Sequence, residues 1–343
     1  MYRDINEDGE NRKRSSGAPK LAALIALTAS FAALSSFLGM MLPAFAAAAS
    51  VSYIVRRYGS ALGAFAAAAS SFGVVFLITR DVLSASQTAA VIVLAGAAMF
   101  VLGKRRAGVF PSSLVLGGIM AAVIAAFFLI AIYKEYGDII GGTAKYFSDL
   151  YAAFKARILE LGSSTDQTAL ISESAIDAAA SVLSSVIPGI AAFLIQAIGV
   201  EAYIVYRVFY RVADRGVREA KRTSRRIPRS IPVFLALSFF ISMIFSISEK
   251  TELIYLAAVN MVMALSLPTF IDGASRLVER IRRPAVIETP AGPVRRRPPV
   301  LLIVFLVISA LMSPLIPAVM VMIYSVVGTI ADIVKERRKN EDV

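Results

Sequence analysis

The sequence predicts an all-α fold: a polytopic transmembrane helix bundle of about ten spans, with the N and C termini cytoplasmic. Three observations carry that expectation. The 343 residues are 57% hydrophobic with a mean hydropathy of +0.71, where soluble domains hold roughly 45–50% apolar residues. The apolar residues come in blocks of about the 20 that cross a ~30 Å hydrocarbon layer, with no two-residue alternation of the barrel type. Basic residues concentrate in every second gap between blocks, which places those gaps on the cytoplasmic side.

Taken in order, residues 1–19 are polar, with Arg12, Lys13 and Arg14, and read as a disordered cytoplasmic tail. Ala44-Phe45-Ala46 after a basic start and an apolar stretch makes a passable signal-cleavage pattern. The chain stays apolar well past that point, so membrane retention is the expectation. The block Leu21–Val55 is too long for one span. Gly39 and Pro43 interrupt it, which predicts two short helices joined near Met41–Pro43. Arg56 and Arg57 bring the chain back to the cytoplasm. Spans three to five follow at Ser60–Thr79, Gln87–Leu102 and Val109–Tyr133.

Residues 134–177 carry four basic and seven acidic residues and belong outside. Within them Phe147, Leu150, Tyr151, Phe154, Ile158 and Leu161 recur at helical spacing. They predict an external amphipathic helix over 144–161, lying on the interface or capping the bundle. Span six is Ala178–Tyr206 and contains Pro188-Gly189. Residues 207–229 hold nine basic and two acidic residues. Spans seven and eight are Ile231–Ile247 and Leu253–Ile271. Residues 276–297 hold seven Arg and read as a Pro-broken loop. Val300–Val334 is again too long for one span and is broken by Pro314 and Pro317. The expected organisation is a six-helix bundle over 20–206, a basic junction over 207–229, a four-helix bundle over 230–334 and a cytoplasmic tail over 335–343.

The residue inventory limits the chemistry. The chain has no Cys and no His. Disulfides, thiol nucleophiles, a Ser-His-Asp triad and His- or thiolate-bound metals are thereby excluded. No phosphate-binding G-x-x-x-x-G-K-[ST] loop occurs. No cofactor and no metal are expected, and neither is an enzyme, with carboxylate or Lys chemistry left open. The net charge of +12 lies in the loops, as the positive-inside bias requires, so nucleic acid is not an expected partner.

Small residues recur at near four-residue spacing: Ala22, Ala26, Ala29 and Ala33; Gly59, Gly63, Ala67 and Ser71; Ser113, Gly117, Ala121 and Ala125. In lipid such faces let helix backbones approach, within one protein or against another membrane protein. Arg207, Arg211, Arg215, Arg218 and Arg222 fall on one face of a continuous helix, with Tyr203, Tyr206 and Tyr210 at its membrane end. That stripe suits anionic lipid headgroups or an acidic partner. Intramembrane polar residues are few. Gln196 and Asn260 are candidate solute contacts or, equally, interhelical hydrogen-bond partners. No Asp/Glu/His chain of the kind a proton pump uses is legible.

Leu42-Pro43-Ala44-Phe45, Tyr53-Ile54-Val55-Arg56-Arg57-Tyr58-Gly59, Ile227-Pro228-Arg229-Ser230-Ile231-Pro232, Asn260 and Phe270-Ile271-Asp272-Gly273 together form a pattern. It resembles the YybS-like family of bacterial membrane proteins of unknown function, over roughly residues 20–338. The N-terminal half of that family is similar to the S components of energy-coupling-factor vitamin transporters. The resemblance implies a six-helix bundle with an outward-open solute pocket. It also implies that Ala22, Ala26, Ala29 and Ala33 form a face for a coupling subunit. Four extra spans depart from a typical S component. The expected protein is a small-molecule capture or transport component of the bacterial cytoplasmic membrane. Its expected partners are membrane lipids, a solute, and a membrane or cytoplasmic protein. The alternative is a non-transporting scaffold that recruits its partner through the Arg stripe.

Overall fold

The structure is a computed structural model that describes residues 18–105, 107–164, 173–213, 227–245, 252–282, 286–289, 292–295, 313 and 315–341. The described residues form ten α-helices and one short hairpin: α1 (Ala18–Leu38), α2 (Met41–Tyr58), α3 (Ala61–Thr79), α4 (Val82–Lys104), α5 (Val109–Tyr136), α6 (Ile139–Ser164), α7 (Glu173–Ala213), α8 (Ser230–Ile244), α9 (Glu252–Arg282), β1 (Val286–Thr289), β2 (Gly292–Arg295) and α10 (Leu315–Glu341). Seven of the helices, α1, α3, α4, α5, α7, α9 and α10, are long and apolar enough to cross a membrane. Ten spans were expected. The 15-residue α8 reaches only about 22 Å at 1.5 Å per residue, and α2 carries Arg56 and Arg57 in its last turn. The expected ninth span lies largely outside the described residues, as does most of the N-terminal tail.

The chain divides into two compact units, unit 1 from Met1–Asp177 with Ile195–Thr223 and unit 2 from Ala178–Leu194 with Ser224–Val343. The boundary falls inside α7, a 41-residue helix with Pro188 in its interior.

In unit 1 the block Leu21–Val55 is two helices. The turn is at Gly39, whose φ of 63° is the left-handed cap that ends α1. It therefore precedes the expected joint. Met41, Leu42 and Pro43 form the first turn of α2, where a missing proline N–H costs little. α2 is the centre of the unit, with all residues from Pro43 to Ile54 buried. Its alanines let the neighbours close in: a Cβ on Gly96 of α4 would lie 3.0 Å from the Ala48 carbonyl oxygen. The face Gly63, Ala67, Ser71 turns inward, with Ala67 and Ser71 fully buried and Gly63 against Leu21 of α1.

The α3–α4 turn is held by Arg80 at φ 55° and by Asp81, whose carboxylate accepts from the Leu83 and Ser84 amides at 3.1 and 2.9 Å. Those bonds and the Ser84 hydroxyl hold its carboxyl below the usual carboxylate value, chiefly through the hydroxyl. α5 and α7 cross at Gly117 and Gly199. Added Cβ atoms there would lie 2.0 Å from the Ile195 oxygen and 1.8 Å from the Ser113 oxygen. The unit's core is two apolar clusters, one around Phe45, Met99, Leu116 and Met120, the other around Ala32, Ile54, Val75 and Ile92.

The expected 144–161 amphipathic helix is present as α6 and runs longer. Tyr151 and Lys155 tie it to Asp177 at the start of α7, the lysine at 3.0 Å. Phe147, Leu150 and Phe154 are exposed along it.

In unit 2, α9 packs on α8 and on α10, and α10 packs on α8. The segment 276–297 is not one loop. α9 continues to Arg282, and Val286–Thr289 pairs antiparallel with Gly292–Arg295. Arg280 and Tyr324 explain part of that extension: a 3.0 Å hydrogen bond and the ring under the guanidinium hold the last turns of α9 to α10. α10 is helical through Glu341, beyond the expected boundary of the tail, and Glu336 pairs with Arg229.

Candidate functional site

The most unusual chemistry lies where α9 meets α10. Gly273 brings the two backbones together, since a Cβ there would lie 2.0 Å from the Val321 carbonyl oxygen. Asp272, its neighbour, is 1% exposed. Its Oδ2 accepts from Arg276 Nε at 2.6 Å and from the Ser325 hydroxyl at 2.7 Å. One turn on, Arg276 donates through Nη1 to Asp332 at 2.8 Å and through Nη2 to the Thr329 hydroxyl at 3.2 Å. Gly328 leaves room for the arginine stem and head. Ser325 and Thr329 are fully buried. Arg276 thus bridges a carboxylate of α9 and one of α10.

Asp272 Oδ1 is buried and has no hydrogen-bond partner among the described residues. A buried carboxylate oxygen left unpaired costs more than a neutral orphan, about 1–3 kcal/mol or above. Asp272 follows the apolar stretch Leu253–Ile271, about 30 Å along α9 from Glu252. It therefore sits at one end of a hydrocarbon-length segment, where an ion costs less than at the bilayer centre.

A second polar feature lies at Pro188-Gly189. Proline removes an N–H and disturbs the ladder around it. The Asn260 amide reaches the backbone beside the proline. Its Oδ1 accepts from Gly189 N–H at 2.7 Å, and its Nδ2 donates to the Ser185 and Leu256 carbonyls at 2.9 and 3.0 Å. One side-chain amide thus ties α9 to the backbone of α7 on both sides of Pro188. Only glycine allows this, because a Cβ at 189 would lie 2.8 Å from Asn260 Cα.

The other expected site residues fall as follows. Gln196 is half-buried on the part of α7 that belongs to unit 1, whereas Asn260 belongs to unit 2. Ala22 and Ala26 are exposed, Ala33 is half-buried and Ala29 is buried beside Thr28 and Ala32. Arg207 and Arg211 are exposed on one face of α7. Arg215, Arg218 and Arg222 lie outside the described residues.

The tyrosines at the membrane end of that stripe turn inward. Tyr203 and Tyr206 are buried in the core of unit 1. The Tyr206 ring lies tilted against Tyr210, centroids 4.6 Å apart, and Tyr210 bonds Ser52 at 3.0 Å beneath the Arg56 guanidinium. The missing side chain of Gly103 is what admits the Tyr206 hydroxyl, 2.2 Å from where a Cβ would sit.

Asp272, Arg276 and Asp332 were not among the expected site residues. Arg276 reads as the first residue of a loop, and Asp332 as part of an apolar run. Their signal is local spacing: Asp272 and Arg276 at i,i+4, and Ser325, Thr329 and Asp332 on one stripe of α10. What the structure adds is that Arg276 joins two carboxylates from two helices.

A family model described as "Predicted membrane protein (DUF2232)" matches residues 21–288. No curated protein and no solved structure matches the chain.

Proposed function

The chain belongs to this family of predicted membrane proteins, and from that premise we propose that it is a small-molecule capture or transport component of the bacterial cytoplasmic membrane. The observation that carries the reading is the buried Asp272, paired with Arg276 and through it with the partly exposed Asp332, in membrane-length helices. Burying ions costs several kcal/mol that close pairing offsets only in part. A protein that merely displays a surface needs no such group, whereas ion and solute pathways do. Pro188 inside α7, with backbone groups beside it bonded to Asn260, supports the same reading. The resemblance to YybS-like proteins and to energy-coupling-factor S components adds to it, with Ala22 and Ala26 exposed for a coupling subunit. Both termini then lie in the cytoplasm, and the chain has no catalytic centre of its own. The test is mass spectrometry of small molecules released from the detergent-purified chain. One solute at about one per chain is the expected result. Repeated preparations from different detergents and nanodiscs that release none would sink the reading.

A second reading rests on the exposed Arg207 and Arg211, a basic face suited to an acidic partner or anionic headgroups. As a scaffold, the chain loses its co-purifying partner when both residues are changed to Glu. Unchanged recovery in a pull-down counts against that role.

A further inference from the structure

We propose that the end of unit 1 where α2, α4 and α7 meet holds the phosphate of an anionic phospholipid, bound by Arg56, Lys104 and Arg207. The inference rests on the second reading above, whose basic α7 face has no named partner, and supplies that partner.

Local spacing builds the site. Ser52 and Arg56 stand one turn apart on α2, and Tyr206 and Tyr210 one turn apart on α7. Ser52 and the Tyr210 hydroxyl share a 3.0 Å hydrogen bond, and the Tyr53 ring meets the Tyr210 ring edge-on at 5.4 Å. Over the ring so fixed lies the Arg56 guanidinium, 5.4 Å from the centroid. Gly103 of α4 forms the third side. The Tyr206 hydroxyl and Arg56 Nη1 lie 2.2 and 3.5 Å from the place of its missing Cβ. Lys104 follows directly, in the last turn of α4. Arg207 and Arg56 both act electrostatically on the Tyr206 hydroxyl. Three cations from three helices thus stand at one phenol-lined junction.

No acid neutralises them. Among the described residues, none of Arg56, Lys104 and Arg207 forms an ion pair. Glu201 stands six residues before Arg207, about 9 Å along α7. α2 and α4 both end here, and each C-terminus brings roughly half a negative charge. Arg56 with Arg57, and Lys104 with Arg105, outweigh it at each end. The surplus is positive. Because the Arg56 fork is already held in place, it loses little freedom when a phosphate arrives.

An apolar wall favours a lipid over a soluble anion. Ile204 and Val208 form an exposed row at i,i+4 on α7, and Ile204 neighbours Arg207 at i,i+3. On α4 the exposed Val101 neighbours Lys104 in the same way. Acyl chains along these rows lead straight to the cations. A soluble phosphate or an acidic peptide would use the cations and leave the rows uncovered, whereas a phospholipid covers both.

The test is native mass spectrometry of the detergent-solubilised full chain. It is titrated with phosphatidylglycerol, with phosphatidylcholine, and with phosphatidylglycerol in excess glycerol 1-phosphate. The expected result is one phosphatidylglycerol per chain, held about tenfold or more tighter than phosphatidylcholine and not displaced by the soluble phosphate. Arg56→Gln and Arg207→Gln should each weaken it about fivefold or more. Arg338→Gln makes the same charge change in the last turn of α10 and should leave binding within about twofold. Equal binding of the two lipids overturns the assignment. So does displacement by glycerol 1-phosphate, or a loss in Arg338→Gln that matches the loss in Arg56→Gln. Should Arg56→Gln not fold, Arg207→Gln, on an exposed face of α7, reads the same site. Unselective lipid binding with a protein partner still lost on changing Arg207 and Arg211 removes the lipid and leaves the scaffold reading standing. Selective lipid binding with unchanged partner recovery does the reverse.

Discussion

Alanine at Gly117 and alanine at Gly118 give opposite results. At Gly117 the new Cβ would lie 2.0 Å from the Ile195 carbonyl oxygen and 2.9 Å from its carbon. Both are backbone atoms of α7, so no rotamer change relieves the clash, and the helices must separate. Overpacking against movable side chains costs about 1–3 kcal/mol. Here the cost should reach or exceed the top of that range, because Gly199 packs against Ser113 and Gly117 in the same crossing. At Gly118 nothing lies within 4 Å of the added atom. Alanine there is neutral or stabilising by up to about 1 kcal/mol. Denaturant titration of the two solubilised variants against the parent checks this. Equal stability of the two would mean that α5 and α7 do not cross at this point.

The second large effect belongs to Arg276→Ala. It strands Asp272, 1% exposed, with a charge and only Ser325 as donor. Removing one partner of a buried pair costs about 3–5 kcal/mol. Asp272→Asn should cost clearly less, because Arg276 keeps Asp332 and the amide keeps a partner in Ser325. The combined Asp272→Leu, Arg276→Met variant removes both charges and should lie close to the parent in stability. A double-mutant cycle on Asp272 and Arg276, read by the same titration, measures the coupling. A cycle that closes near zero would show the two side chains to be independent. Loss of stability in the single variant with recovery in the double one shows that the cost lies in the stranded charge.

Much of the fold is legible in local patterns. Gly39 inside an overlong apolar block predicts two helices, and two form. The spacing of Phe147, Leu150 and Phe154 predicts an amphipathic helix there, and α6 is that helix. Ser113 and Gly117 stand out as a small-residue face, and the tightest helix crossing of unit 1 is built on them. Each of these signals sits within a few turns of one helix, where side-chain period and backbone geometry are coupled directly.

The chemistry is legible only in part, because its partners are far apart in the chain. Asn260 reaches Gly189 across 71 residues and Arg276 reaches Asp332 across 56. Asn260 is conspicuous as a polar residue in an apolar block, yet nothing local says that its amide bonds the backbone of another helix. Tyr203 and Tyr206 have interfacial chemistry, and Gly103 together with the core around Phe45 and Met99 takes them inside.

By itself the sequence determined that this is a helical membrane protein without thiol or imidazole chemistry, where its helices break, and which faces are small enough to touch. Those properties follow from composition and from the repeat of a single helix. Only the tertiary structure decided that Asp272, Arg276 and Asp332 form one linked group around a buried carboxylate. The reason is physical. Which helices pair depends on the fit of Gly273 against Val321 and of Gly328 against Arg276, and such fit has no period along the chain.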